Sequence, residues 1–255
     1  MYSIKEQLPK LVLENMHLIK SFSSTTYKES FESLFKTYRP VLAHLEELYL
    51  NAADKEAFIN EIAGDFVAQV KQQYDERAKK SNKESLTLDY NMIMASFAIP
   101  CILEYRGEST DALADALVAE WNASFTKYKI HKGKFADIDG SFKRKLCFIT
   151  TAVCDSLGKA DDCYELTLLR SFRDTYMMHT ETGDQLVKDY YRRAPVLVMR
   201  MNLIRDSRHV YDEINETYIK PCISLIEEKR YEECQDKYVE MVESLTDRFI
   251  GGQHE

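Results

Sequence analysis

Apolar residues recur three and four positions apart along almost the whole chain, the repeat that keeps side chains on one face of an α-helix. On residues 3–20, Ile4, Leu8, Leu11, Val12 and Leu18 share a broad stripe, which predicts a first amphipathic helix. A second is expected over about 26–50, where Phe31, Leu34, Phe35, Leu42, Leu45 and Leu48 repeat; Pro40 should kink or split it, because proline has no N–H for the helical ladder. Asp54 is the candidate N-cap of a third, whose Phe58, Ile62, Phe66 and Val70 recur every four residues before a charged tail. Residues 84–105 carry Leu86, Leu88, Tyr90, Met92, Ile93, Met94, Phe97 and Ile99 with few charges, which predicts a central, widely buried helix interrupted at Pro100. Ser109 or Thr110 with Asp111 should start the next, through Leu113, Leu117, Trp121 and Phe125.

Residues 127–143 hold two glycines and show no helical stripe, so 128–143 reads as a loop or seam between an N-terminal helical bundle, 1–127, and a C-terminal helical region, 144–255. Beyond it, helical runs are expected at about 145–157, 162–178, 184–193, 196–219, 221–228 and 230–249, with Gly251 and Gly252 ending the last. With only 8 Gly and 5 Pro in 255 residues, the chain lacks the turn-formers that a β-sandwich or barrel needs every ~8–12 residues. The fold class expected is all-α, a multi-helix bundle of about ten helices.

Charge and cysteine content narrow the function classes. A net charge of −8 argues against nucleic-acid binding, which normally shows a basic excess. Lys5, Glu6, Lys10 and Glu14 interrupt the first apolar residues, so no signal peptide is expected, and no window approaches ~18 uncharged apolar residues, so no membrane span is expected either. Six cysteines, Cys101, Cys147, Cys154, Cys163, Cys222 and Cys234, are too few for a disulfide scaffold and are expected as reduced thiols of a cytoplasmic protein.

Unusual residue types are densest between Cys147 and Pro195. Cys147-Phe148-Ile149, Thr151-Ala152, Leu169-Arg170, Phe172-Arg173-Asp174, Gly183, Tyr190-Tyr191 and Ala194-Pro195 follow in order over about fifty residues, and this stretch resembles the bacterial CFI-box family. The resemblance implies a module and no particular chemistry; many members of that family carry the box at their C-terminal end, whereas here some 60 residues follow it.

On one helix, Cys147, Thr150, Thr151 and Cys154 would share a face, with Cys147 and Cys154 ~10 Å apart along the axis, too far for a disulfide while that helix is intact. Gly158 can close it, and Asp161 or Asp162 can cap the next with Cys163 in its first turn. Arg170 and Arg173 also share a face. They could grip a carboxylate or phosphate with paired N–H donors, or Arg173 could be a structural clamp against Asp174, Asp189 or Glu165 with Tyr190 or Tyr191 completing its hydrogen bonds. Gly183 should permit a tight turn, with Asp184 starting a helix. Cys147 with His179, the one histidine in the box, is the sharpest catalytic pairing.

A zinc set of Cys147, Cys154, Cys163 and His179 has suitable donors but lacks the close Cys-X-X-Cys knuckle, and a calcium loop at 137–140 would put Phe135 and Leu146 at ligand positions, so no metal site is expected. No phosphate loop, dinucleotide fingerprint, zinc-protease helix or hydrolase elbow occurs, and no cofactor is expected. Arg192, Arg193, Arg200, Arg205 and Arg208 make a local positive density that could attract an acidic partner or ligand but reads first as a solvated face paired with acidic helices. The function expected is a soluble intracellular binding or interaction protein with a polar core or ligand site of Arg170, Arg173, Asp174, Tyr190 and Tyr191, its partner a protein or a small acidic ligand. The alternative is a cysteine-dependent enzyme or thiol sensor using Cys147.

Overall fold

The computed structural model describes residues 3–143 and 147–250, apart from the side chains of Ser141, Lys143 and Glu181. Of the described residues 79% are helical and none lies in a strand, so the fold is all-α with a multi-helix architecture. It divides into two compact units, Met1–Lys143 and Arg144–Glu255.

The first unit opens on three single turns, Ile4–Gln7, Lys10–Leu13 and His17–Lys20, and not on the one helix that the apolar stripe predicts. Pro9 has no N–H for the carbonyl four residues back, and Asn15 Nδ2 donates to the carbonyls of Lys10 and Leu11, which ends the ladder there. The stripe itself survives, with Ile4, Leu8, Leu11 and Val12 buried. Tyr27–Asn51 runs as one helix through Pro40. That proline is exposed, so the carbonyl it orphans at Lys36 faces water and splitting is unnecessary. Lys55–Arg77 begins where Asp54 accepts the Ala57 N–H at 2.9 Å and packs along Thr110–Ser124.

Residues 83–105 form the expected central helix. By length and composition it could cross a membrane, but 83% of its apolar window is buried inside the protein, the surroundings of a core helix. Pro100 does not end it. The ladder widens into a π-turn over Met94–Ala98, and the Ser96 carbonyl, four residues before Pro100, accepts instead from the Tyr27 hydroxyl at 2.8 Å. Buried Trp121 donates Nε1–H to Asn91 Oδ1 at 3.0 Å, satisfying two polar groups inside the core. Phe135–Lys143 is a helix where a loop is expected: its short stripe is held by aromatic contacts, Phe135 on Phe31 at 4.2 Å between ring centres and Phe142 on Phe22 at 5.6 Å.

The second unit holds helices Phe148–Ser156, Tyr164–Thr175, Glu181–Asn202, a continuous helical run over 207–227, and Tyr231–Phe249. Their inner faces make one core that includes Ile149, Val153, Phe172, Leu197 and Met241. The break expected at Pro195 falls at 203–206, because Ala194, Val196 and Leu197 are all buried and packing carries the helix past the proline. Arg200 is not on a solvated face: it is 1% exposed and donates from a terminal guanidinium nitrogen to the Phe249 carbonyl at 2.7 Å, capping the last helix. Gly251 and Gly252, the expected stop, lie outside the described residues.

Candidate functional site

Cys147 stands immediately before the Phe148–Ser156 helix, buried, and its sulfur meets a fork from the third turn of Tyr164–Thr175. Arg173 donates one terminal nitrogen to the Tyr191 hydroxyl at 2.8 Å and to Cys147 Sγ at 3.4 Å. Its Nε and other terminal nitrogen bind both carboxylate oxygens of Asp174, at 2.7 and 2.9 Å. Four of the five N–H donors are thereby engaged. The Arg173 side chain is 12% exposed and that of Asp174 54%, so the pair runs from the interior to the surface.

Tyr190 turns the other way. Its hydroxyl accepts the Ile149 N–H at 3.0 Å, one of the unpaired donors in the first turn of the Phe148–Ser156 helix, and its ring packs 5.5 Å from Tyr238. The adjacent tyrosines thus hold two elements, Tyr190 the helix start and Tyr191 the guanidinium.

Arg170 does not join Arg173 on a shared anion. Its terminal nitrogens bind the Asp161 carbonyl at 2.9 Å and carboxylate at 2.8 Å, so each arginine is matched by a carboxylate of this chain and the pair presents no open two-armed cradle. Nor does the structure pair Cys147 with His179. The histidine ends the single turn Met177–His179 on the exposed surface, because Thr180 immediately after it caps the next helix through the Gly183 N–H at 3.0 Å. That helix starts at Glu181, three residues before the expected Asp184. Gly183 serves a close approach, since a Cβ there would sit 2.3 Å from the Met177 carbonyl oxygen. Burial pushes the Cys147 thiol up; Arg173 and Arg170 pull it down without prevailing. A buried, protonated thiol with no imidazole beside it is a poor nucleophile.

Of the other thiols, Cys154 at the end of its helix and half-buried Cys163 lie with sulfurs 3.5 Å apart. Cys147, Cys154 and Leu166 form a small buried cluster against which Cys163 packs. Cys163 precedes its helix as the capping residue itself, where Asp161 or Asp162 is expected; Asp161 is held by Arg170 instead. Burial, then the Cys163 sulfur, pushes the Cys154 thiol up to about 12.

Beside the Cys147–Arg173 cluster lies a cavity of about 110 Å³. Leu169, Phe172, Met177, Leu186, Val187 and Val242 make its apolar wall. Cys147, Arg173, Asp189, Tyr190, Arg193, Tyr238 and Glu243 add polar atoms. Asp189 pairs with Arg192, whereas Arg193 makes no ion pair among the described residues. Tyr238, Val242 and Glu243 escape a reading centred on 147–195. The signal for them is the spacing of Cys234, Tyr238, Met241 and Leu245 along one face of Tyr231–Phe249. Comparison with protein-family models, with curated proteins and with solved structures finds no match for the chain.

Proposed function

We propose that the Arg144–Glu255 unit is a binding module for a compact, largely apolar ligand bearing one acidic group. The carrying observation is the 110 Å³ cavity, walled mainly by hydrocarbon and bordered by the unpaired guanidinium of Arg193. Sites for small molecules are typically apolar with a few placed polar groups. For scale, an engineered apolar cavity of ~150 Å³ holds benzene, so the occupant here has a handful of heavy atoms. Its hydrocarbon end packs among Leu169, Phe172 and Val187, and its acid group meets Arg193. Arg173, Asp174, Tyr190 and Tyr191 serve as the frame that keeps the wall in place: the Arg173 donors are spent on Asp174 and Tyr191, and the Tyr190 hydroxyl accepts the Ile149 N–H. The resemblance of 147–195 to the CFI-box family supports treating this stretch as the module's centre.

Calorimetry and thermal melts with short branched or aromatic carboxylic acids, their amides and long-chain acids test the reading. Compact acids are expected to raise the melting temperature, the amides to raise it less, and long-chain acids to have no effect. Val187→Phe, which fills the cavity, should abolish binding, and Arg193→Gln should erase the preference for acid over amide. Binding that survives Val187→Phe, or no binding across the panel, refutes the proposal.

A further inference from the structure

A second cluster of chemistry-bearing groups shares no residue with the cavity wall. Cys154 Sγ, Cys163 Sγ and a carboxylate oxygen of Glu165 lie within 4.8 Å of one another, the two sulfurs at 3.5 Å. We propose that Cys154, Cys163 and Glu165 form a binding site for a thiophilic divalent cation of the zinc type. In tetrahedral zinc sites with Zn–S ~2.3 Å and Zn–O ~2.0–2.2 Å, ligand atoms stand roughly 3.5–3.8 Å apart. The sulfurs already sit at that edge length, and the Glu165 oxygen, within 4.8 Å, has about 1 Å left to close on an ion.

The backbone that presents these donors is fixed from several directions. Cys154 lies in the last turn of Phe148–Ser156 and Cys163 directly before Tyr164–Thr175. The connection between them turns at Gly158, whose φ is +70°, and the Lys159 N–H returns to the Cys154 carbonyl at 2.9 Å. Arg170 holds Asp161 from the next helix, so both ends of the eight-residue connection are tied to regular structure. Two thiolates select a soft or borderline ion over calcium or magnesium, which prefer all-oxygen sets. The ion and the Lys159 ammonium, which pairs with Glu165, would balance two thiolates and a carboxylate. Cys154 is buried while Cys163 and Glu165 are half-buried, which leaves a side open for entry and a fourth position for water. The Cys-X8-Cys-X-Glu spacing contains no zinc knuckle, so sequence spacing does not reveal it.

Cobalt(II) is the probe. Added to the reduced full-length chain, it is expected to bind one ion per chain with thiolate-to-cobalt charge transfer and the visible bands of tetrahedral coordination, and zinc should displace it. Cys163→Ser should remove one thiolate's share of the charge transfer, and Glu165→Gln should keep both thiolates; each is expected to weaken binding about tenfold or more. If Cys163→Ser melts early, Glu165→Gln decides, since it leaves both sulfurs in place. A thiolate-free octahedral spectrum, a spectrum unchanged in Cys163→Ser, affinity unchanged in Glu165→Gln, or a Cys154–Cys163 disulfide that persists in reductant overturns the proposal.

Discussion

At the scale of the residue, Arg173 carries the most hydrogen bonds of the candidate site, yet its energetic weight is moderated by where its partner sits. A buried pair that loses one member costs roughly 3–5 kcal/mol, but Asp174 is 54% exposed and regains water when the guanidinium is gone. What stays uncompensated is the Tyr191 hydroxyl, the Cys147 sulfur and the vacated volume. Arg173→Ala is therefore expected to lower stability by about 1–3 kcal/mol in denaturant titration, and an unchanged midpoint would refute the clamp. Accessibility orders the thiols. With chelator present, limiting iodoacetamide at neutral pH should label half-buried Cys163 first, and Cys101, Cys147, Cys154, Cys222 and Cys234 only on unfolding. Prior labelling of Cys147 would instead favour the cysteine-dependent alternative. Residue types in 147–195 point to Arg173, Asp174 and Tyr191, but only the first two are neighbours on one helix; Tyr191 comes from Glu181–Asn202, and the packing of the two helices brings its hydroxyl to Arg173. The fate of Arg170 and His179 was not legible, since it depends on the path of two short connections that no periodicity describes.

At the scale of the element, helix ends and prolines decide the outcome. The start of Thr110–Ser124 is capped from another helix: Glu46 accepts the N–H groups of Glu108 and Ser109, at 2.7 and 3.1 Å, and the Ser109 hydroxyl. Partial burial would raise this carboxyl, but the bonds from Ser109 and Glu108 outweigh it and hold it below its ordinary value. A depressed folded-state pKa adds stability above the unfolded value and loses it as pH falls through the folded one. The advantage of the parent over Glu46→Gln in thermal melts should thus be constant from neutrality to about pH 5 and shrink below about pH 4. A gap independent of pH would remove the charge from the explanation. Helix periodicity finds nearly every element here and misplaces their ends. Pro40, Pro100 and Pro195 read as breaks from local chemistry, but an exposed carbonyl, the Tyr27 hydroxyl and buried flanking residues respectively keep those helices running. Only Pro9, beside a side chain that claims the last carbonyls, breaks its helix.

At the scale of the whole molecule, the division into Met1–Lys143 and Arg144–Glu255 assigns the cavity, the Arg173 cluster and the three-donor group to one unit. The core of that unit runs from Phe148 to Phe249, and the partly buried side chains packed against it, such as Leu157, Ile204 and Ile250, come from the same stretch of chain. At about 110 residues the unit exceeds the length below which a single core usually needs metal or disulfide support. Residues 144–255 expressed alone should therefore give the helical circular dichroism expected for this unit and one cooperative thermal transition. The same fragment should bind the compact acids with an affinity within a few-fold of the full chain, because every wall residue of the cavity travels with it. A fragment that is helical but molten, binding nothing, would mean that contacts outside 144–255 complete the core, and the site would then have to be understood as a property of the entire chain.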